Sequence, residues 1–120
     1  MNEKDLRKEF RIPAKDLPEQ YSSFTILLAQ GLNAEVTTTD LSLGGFGFFT
    51  NIATDSFIPG SRLVLYPLGE ATPLYGIVVH AAKTVRGSRV GVKLQELGGY
   101  RDYRNAIQNI IKDIDSTYSS

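Results

Sequence analysis

The chain has 120 residues, enough for one domain with a buried core, and 42% of its residues are hydrophobic and 22% charged. Its 13 basic and 13 acidic residues give no net charge, which argues against a surface for long nucleic acids because such surfaces need a basic excess. Cysteine is absent, and no apolar run is long enough for a signal peptide or a membrane span, so we expect a cytoplasmic protein without disulfides or membrane insertion.

The chain starts with a polar segment and continues with short apolar runs. Residues 1–20 are polar and contain Pro13 and Pro18, which favours a flexible leader over a packed element. In residues 21–97, short runs of β-branched and aromatic residues alternate with turn residues, a pattern that predicts a small sandwich or barrel. The predicted strands cover residues 24–29, 35–39, 46–49, 62–66, 74–82 and 89–94, and the last two form a hairpin.

The last part of the chain has helical periodicity. After the break at Gly98-Gly99, apolar residues recur every three or four positions, which predicts an amphipathic helix over residues 98–116. We expect the apolar stripe to cover one opening of the barrel or an edge strand. Pairing of two such helices between subunits is the alternative, because the stripe is also a short heptad seam. The stripe consists of Tyr100, Tyr103, Ile107, Ile110, Ile111 and Ile114.

Two motifs combine arginine, aspartate, serine and glycine at fixed spacing. Arg7 and Arg11 form an Arg-x-x-x-Arg pattern, and residues 40–45 read Asp-x-Ser-x-x-Gly. Guanidinium groups pair with the O6 and N7 acceptors of guanine and with phosphate, and they stack on purine faces. A carboxylate accepts from the N–H donors on the opposite guanine edge, and a serine hydroxyl donates or accepts. Glycines let the backbone turn sharply and approach a ligand closely.

Each motif taken singly also has a purely structural interpretation. Arg7 and Arg11 can lie on a solvated helical face, since residues four apart are neighbours there. Residues 40–45 can be only a turn between strands, where Asp, Ser and Gly are common. The order of the two motifs, their separation and the rest of the chain favour the binding interpretation.

Together the two motifs resemble the signature of the PilZ-domain family, bacterial receptors for the second messenger cyclic di-GMP. Two further patterns support the resemblance. Residues 76–79, Gly-Ile-Val-Val, match a Gly-x-Val-Val strand of the family, and residues 91–94 match a Gly-Val-x-Phe strand with leucine in place of phenylalanine. The resemblance implies a mainly β fold, a six-stranded antiparallel PilZ-like β-barrel with a C-terminal α-helix.

The resemblance also implies the ligand site. In the family, the arginines of the first motif contact phosphate and guanine, and the aspartate and serine of the second motif bind the guanine edge. We expect Gly45 to adopt a positive φ that permits the turn, a conformation that β-branched residues resist. The residues carried over to this chain are Arg7, Arg11, Asp40, Ser42, Gly44 and Gly45, with Leu6 and Lys8 as possible further contacts.

The residue before the arginine pair bears on stoichiometry. In PilZ-like proteins this position helps decide whether one ligand or a stacked pair is held. A stacked pair brings four phosphate charges into one pocket and needs an extra guanidinium to neutralise them and stack on a base. Leu6 supplies neither, so we predict one cyclic di-GMP per chain.

No residue set in the sequence predicts an enzyme, a metal site or a cofactor. His80 is the only histidine and lies in a predicted strand, so a metal cluster or a histidine-based triad is not expected. The glycines at 44 and 45 lack the Lys-Ser/Thr partner of a nucleoside-triphosphate loop.

The resemblance therefore implies a receptor that changes conformation on binding cyclic di-GMP. It would signal, as a monomer or homodimer, to a protein partner in motility, secretion, biofilm or exopolysaccharide control. The alternative is a ligand-independent PilZ-like adaptor in pilus or flagellar machinery, which would dock through the helix or through Phe46, Phe48 and Phe49.

Overall fold

The computed structural model describes residues 10–68 and 70–119, and the side chains as far as residue 114. Within these ranges, short 3-10 turns occur at Ala14–Asp16, Glu19–Tyr21 and Thr54–Ser56. The strands are β1 (Ile12–Pro13), β2 (Ser23–Leu28), β3 (Asn33–Leu41), β4 (Gly45–Thr50), β5 (Arg62–Pro67), β6 (Leu74–Thr84) and β7 (Gly87–Leu94), and the helix α1 covers Tyr100–Ser119. No helix in the described ranges is long and apolar enough to cross a membrane.

Six strands close into an antiparallel barrel. Their order around the barrel is β2, β5, β6, β7, β4 and β3, and the pairing of β3 with both β4 and β2 closes it. Side chains alternate between the core and solvent; in β2, for example, Phe24, Ile26 and Leu28 are buried while Thr25 and Leu27 are exposed. The predicted fold, a six-stranded antiparallel barrel with a C-terminal helix, is therefore confirmed.

The segment before the barrel is packed against it. Strand β1 pairs with the end of β3, with Ile12 opposite Leu41 and Pro13 opposite Asp40. The Ile12 side chain is completely buried, and Pro13 is tolerated because β1 is an edge strand. The prediction of an unpacked, flexible leader is wrong for this part of residues 1–20, while residues 1–9 lie outside the described ranges.

The barrel core is aromatic. The rings of Phe24, Phe46, Phe48 and Phe57 form a continuous row, with centroid separations of 4.3, 5.3 and 5.7 Å. Each of these side chains is at most 2% exposed, so the row is fully removed from water. A docking surface built on Phe46 and Phe48 is therefore excluded, whereas Phe49 points to the other face of β4 and is half-buried.

Helix α1 lies against the end of the barrel that carries the β3–β4 and β5–β6 connections. Its side chains Tyr100, Tyr103, Ile107 and Ile111 are buried in the core. The helix begins two residues after the predicted start because Gly98 has a φ of 58°, in the left-handed region. A Cβ at that position would also lie 2.7 Å from the carbonyl oxygen of Pro73.

Candidate functional site

Sequence motifs that are far apart in the chain meet beside the connection from β3 to β4, which we call the β3–β4 turn (residues 42–45). Arg11 immediately precedes β1, and the pairing of β1 with the end of β3 brings it next to the aspartate of the second motif. The predicted site residues that come together here are Arg11, Asp40, Ser42, Gly44 and Gly45. The other predicted contacts, Leu6, Arg7 and Lys8, lie outside the described residues.

An ion pair connects the two motifs. Nη1 of Arg11 donates to Oδ1 of Asp40 at 2.6 Å, a short charge-assisted hydrogen bond. The side chains are 53% and 26% exposed, and at that exposure an ion pair contributes at most about 1 kcal/mol to stability. Its main consequence is geometric, because Asp40 orients the Arg11 guanidinium toward Gly45. Nη2 of Arg11 lies 3.5 Å from the position that a Cβ on Gly45 would occupy.

The β3–β4 turn is held by backbone hydrogen bonds. The Ser42 amide donates to the Gly45 carbonyl at 3.0 Å, and the Leu94 amide donates to the Gly44 carbonyl at 2.9 Å, which joins the turn to the end of β7. The Ser42 hydroxyl donates to the Gly45 carbonyl at 3.5 Å, a long and weak hydrogen bond. Ser42 is only 4% exposed, so its hydroxyl reaches a ligand only within the cavity that it lines.

Gly45 is required for a reason other than the one predicted. The described residues with positive φ are Gly31, Gly60, Gly87 and Gly98, so the prediction of a positive φ at Gly45 is wrong. A Cβ there would instead lie 3.2 Å from the carbonyl oxygen of Val92 and 3.4 Å from the Ser42 hydroxyl. The missing side chain keeps β4 close to β7 and leaves the space in front of Arg11 open.

A cavity of about 410 Å³, which we call the site cavity, opens beside the turn. Its floor comes from strands β6 and β7, which supply residues that the motifs did not indicate. The residues lining it are Arg11, Ser42, Gly44, Gly45, Val79, His80, Gly91, Val92 and Lys93. Arg11 and Lys93 give it positive charge, as an anionic ligand requires.

His80 reaches the cavity because of an irregularity in the sheet. The register between β6 and β7 shifts between Val78 and His80, and such a bulge redirects side chains. The imidazole lies over Gly91, where an added Cβ would be 2.5 Å from Nε2. His80 and Lys93 carried no sequence signal for this site, since the bulge and the strand pairing that bring them here are tertiary features.

A second and larger cavity, of about 660 Å³, lies on another face of the barrel. Arg62 is the one charged side chain among the described residues that line it, and most of the others are apolar. It contains neither motif. The smaller, more polar site cavity is therefore the better candidate for a charged, hydrogen-bonding ligand.

Comparisons with known proteins agree with this architecture. A family model described as "PilZ domain" matches residues 5–113. A comparison with curated protein sequences finds no significant match.

Solved structures share the fold at low sequence identity. The Borreliella burgdorferi PlzA protein in complex with c-di-GMP has a TM-score of 0.62 and 16% identity, over 85% of this chain and 39% of PlzA. The Bacillus subtilis inhibitor of motility MotI/DgrA has a TM-score of 0.58 and 16% identity, over 76% of this chain and 46% of that protein. The Escherichia coli YcgR PilZ domain with c-di-GMP has a TM-score of 0.57 and 15% identity, over 92% of this chain and 95% of that domain.

The chain thus spans less than half the length of PlzA and of MotI, and nearly all of the isolated YcgR domain. The structural likeness establishes the fold, and the family model covers most of the chain, including both motifs. This chain belongs to the PilZ-domain family.

Proposed function

We propose that this chain is a receptor for cyclic di-GMP, which binds in the site cavity. The observation that carries the proposal is the ion pair of Arg11 with Asp40 beside the β3–β4 turn, because it joins the two motifs at one cavity. The ligand has two guanines and two phosphates, and these groups match the guanidinium, carboxylate and ammonium groups present there. PlzA and the YcgR PilZ domain, which share the fold, are complexes with c-di-GMP.

Each site residue has a chemical role in this proposal. Arg11 donates to guanine O6 and N7 or to a phosphate through its free guanidinium face, and Arg7 is the second guanidinium. Asp40 accepts from guanine N–H groups while it still orients Arg11. Ser42 exchanges its weak hydrogen bond to Gly45 for one to the ligand.

The strands of the floor complete the proposed site. Lys93 adds a point charge for a phosphate, and the His80 ring offers a flat surface on which a base can stack. Leu6 and Lys8, beside the arginine motif, are further contacts. Because Leu6 supplies no guanidinium, the site holds one ligand per chain.

Binding would change the surface that the protein presents. The proposed contacts join the arginine motif to the β3–β4 turn and to strands β6 and β7, so an occupied site presents a different surface from an empty one. We infer a cytoplasmic, non-enzymatic effector, monomeric or homodimeric, that signals to a protein partner in motility, secretion, biofilm or exopolysaccharide control. The fold shared with MotI, an inhibitor of motility, makes a motility partner the first to test.

Calorimetric titration of the chain with cyclic di-GMP tests the proposal, with GMP and cyclic di-AMP as control ligands. We expect saturable binding of cyclic di-GMP and much weaker binding of both controls. Absence of saturable binding in the wild-type chain would reject the receptor and leave the ligand-independent adaptor in pilus or flagellar machinery, docked through helix α1.

A further inference from the structure

Two tyrosines at the start of helix α1 are bonded to the β3–β4 turn. The Tyr103 hydroxyl donates to the Ser42 carbonyl at 2.6 Å, with a longer contact of 3.4 Å to the Gly45 carbonyl. The Tyr100 hydroxyl donates to the Leu43 carbonyl at 2.8 Å. Successive carbonyls of the turn are therefore satisfied by one face of one helix.

These hydrogen bonds are shielded from water. Tyr103 is 3% exposed and Tyr100 is 8% exposed, so water does not readily replace either hydroxyl as a donor. Burial raises the pKa of both tyrosines above the usual value, which extends to higher pH the range in which the hydroxyls stay protonated and donate. The Tyr103 ring is also fixed from the side, because it meets the Tyr21 ring edge-on at 6.1 Å and 82°.

The turn residues face in two directions. Their carbonyls accept from the helix tyrosines, while Ser42, Gly44 and Gly45 line the site cavity. Gly45 lies between the two sides: its carbonyl is 3.4 Å from the Tyr103 hydroxyl, and Nη2 of Arg11 lies 3.5 Å from where its Cβ would stand. A single turn of backbone thus separates the proposed ligand from helix α1.

We propose that Tyr103 is a positioning residue, assisted by Tyr100, which holds the β3–β4 turn in the conformation that binds the ligand and so couples helix α1 to the occupancy of the site. This inference rests on the proposed function. The coupling is reciprocal: if the contact with the helix favours binding, then binding must strengthen the contact by the same factor. Helix α1 is therefore an element through which occupancy of the site alters the surface.

The test uses Tyr103→Phe, which keeps the buried ring and removes only the donor. Tyr75→Phe is the matched control, because Tyr75 lines the apolar cavity and not the site cavity. In the ligand-free protein, hydrogen exchange of the Ser42 and Leu94 amides, which donate to carbonyls of the turn, should accelerate about tenfold in Tyr103→Phe and stay unchanged in the control.

The same variants are then titrated with cyclic di-GMP. We expect Tyr103→Phe to bind about five- to tenfold more weakly than wild type, as the loss of one hydrogen bond implies, and Tyr75→Phe to bind as wild type does. Saturating ligand should slow amide exchange in the first two turns of helix α1 in wild type, and do so less in Tyr103→Phe.

The possible failures are distinct. A wild-type chain that does not bind cyclic di-GMP overturns the proposed function. Turn amides that exchange equally in Tyr103→Phe and wild type overturn the positioning role, whether or not the ligand binds. A variant with lower thermal stability but an unchanged dissociation constant also overturns it, because Tyr103 would then stabilise the fold alone.

Discussion

At the scale of single residues, Arg11 combines high exposure with a fixed orientation. Arg11→Ala should weaken cyclic di-GMP binding tenfold or more, because a charge-assisted contact contributes about 1.5–3 kcal/mol. The melting temperature should change little, since the ion pair with Asp40 is exposed. Arg11→Lys should not restore affinity, because an ammonium lacks the planar fork. Titration calorimetry and thermal denaturation measure the two effects.

The matched control for this substitution is Arg86→Ala, which removes an exposed arginine from the turn between β6 and β7. It should bind as wild type does. Equal dissociation constants for Arg11→Ala and wild type would show that Arg11 is only a surface ion-pair partner of Asp40.

Gly45 gives a second prediction at this scale. Gly45→Ala places a Cβ 3.2 Å from the Val92 carbonyl and close to Ser42 and Arg11, so both stability and affinity should fall. We expect a loss of about 1–2 kcal/mol in the free energy of unfolding from overpacking, together with binding weakened at least fivefold. Chemical denaturation and calorimetry measure these quantities.

Gly31→Ala separates the two effects. Gly31 has a φ of 88° and open space around it, so alanine is strained there but meets no atom of the site. That variant should lose stability and keep its affinity. If both glycine variants retain wild-type affinity, the open space in front of Arg11 has no part in binding.

At the scale of the elements, the strands of the barrel were predictable because their side chains alternate with a period of two. Strand β1 was not: it is two residues long, contains a proline, and is packed only because Ile12 meets Leu41 in the folded chain. The helix was predictable from the helical spacing of its apolar residues. That pattern treats tyrosine as an apolar residue, so it does not indicate the hydrogen-bond partners of the tyrosine hydroxyls.

The candidate site likewise contains residues that the sequence predicts and residues that it does not. Residues 40–45 are contiguous, so their motif was readable, and Arg11 followed from its spacing to Arg7. His80 and Lys93 reach the cavity through strand pairing and a bulge. Neither the pairing nor the bulge can be recognised from a single sequence. The site residues were thus predictable where they are close together in the sequence, and not where strand pairing brings them together.

The floor of the cavity supplies a prediction for these two strands. Lys93→Ala should weaken binding several-fold and reduce its salt dependence, because one charge facing an anionic ligand is lost. Lys83→Ala, on β6 but outside the cavity, is the control and should change neither quantity. Titrations at about 50 and 300 mM salt make the comparison. A dissociation constant for Lys93→Ala that equals the wild-type value at both concentrations would remove Lys93 from the site.

At the scale of the whole molecule, occupancy of the site should stabilise the entire domain. The site joins Arg11, the β3–β4 turn and the end of β7, and helix α1 contacts the same turn. A ligand that binds only the folded state at a hundred times its dissociation constant stabilises that state by about 2.7 kcal/mol. If cyclic di-GMP binds at this site, its stabilising effect should therefore extend to the barrel and the helix together.

The number of ligands per chain is the last prediction, and it belongs to the whole molecule because it sets the net charge of the complex. Each cyclic di-GMP brings two negative charges, so a stacked pair would bring four. Of the proposed cations Arg7, Lys8, Arg11 and Lys93, only the arginines have a planar fork that both pairs with phosphate and stacks on a base. Leu6 adds no charge, so native mass spectrometry at saturating ligand should give one ligand per chain. Leu6→Arg should shift the ratio towards two, whereas Leu6→Ala should leave it at one. Two ligands bound to the wild-type chain would refute the argument from Leu6 and leave the receptor itself in place.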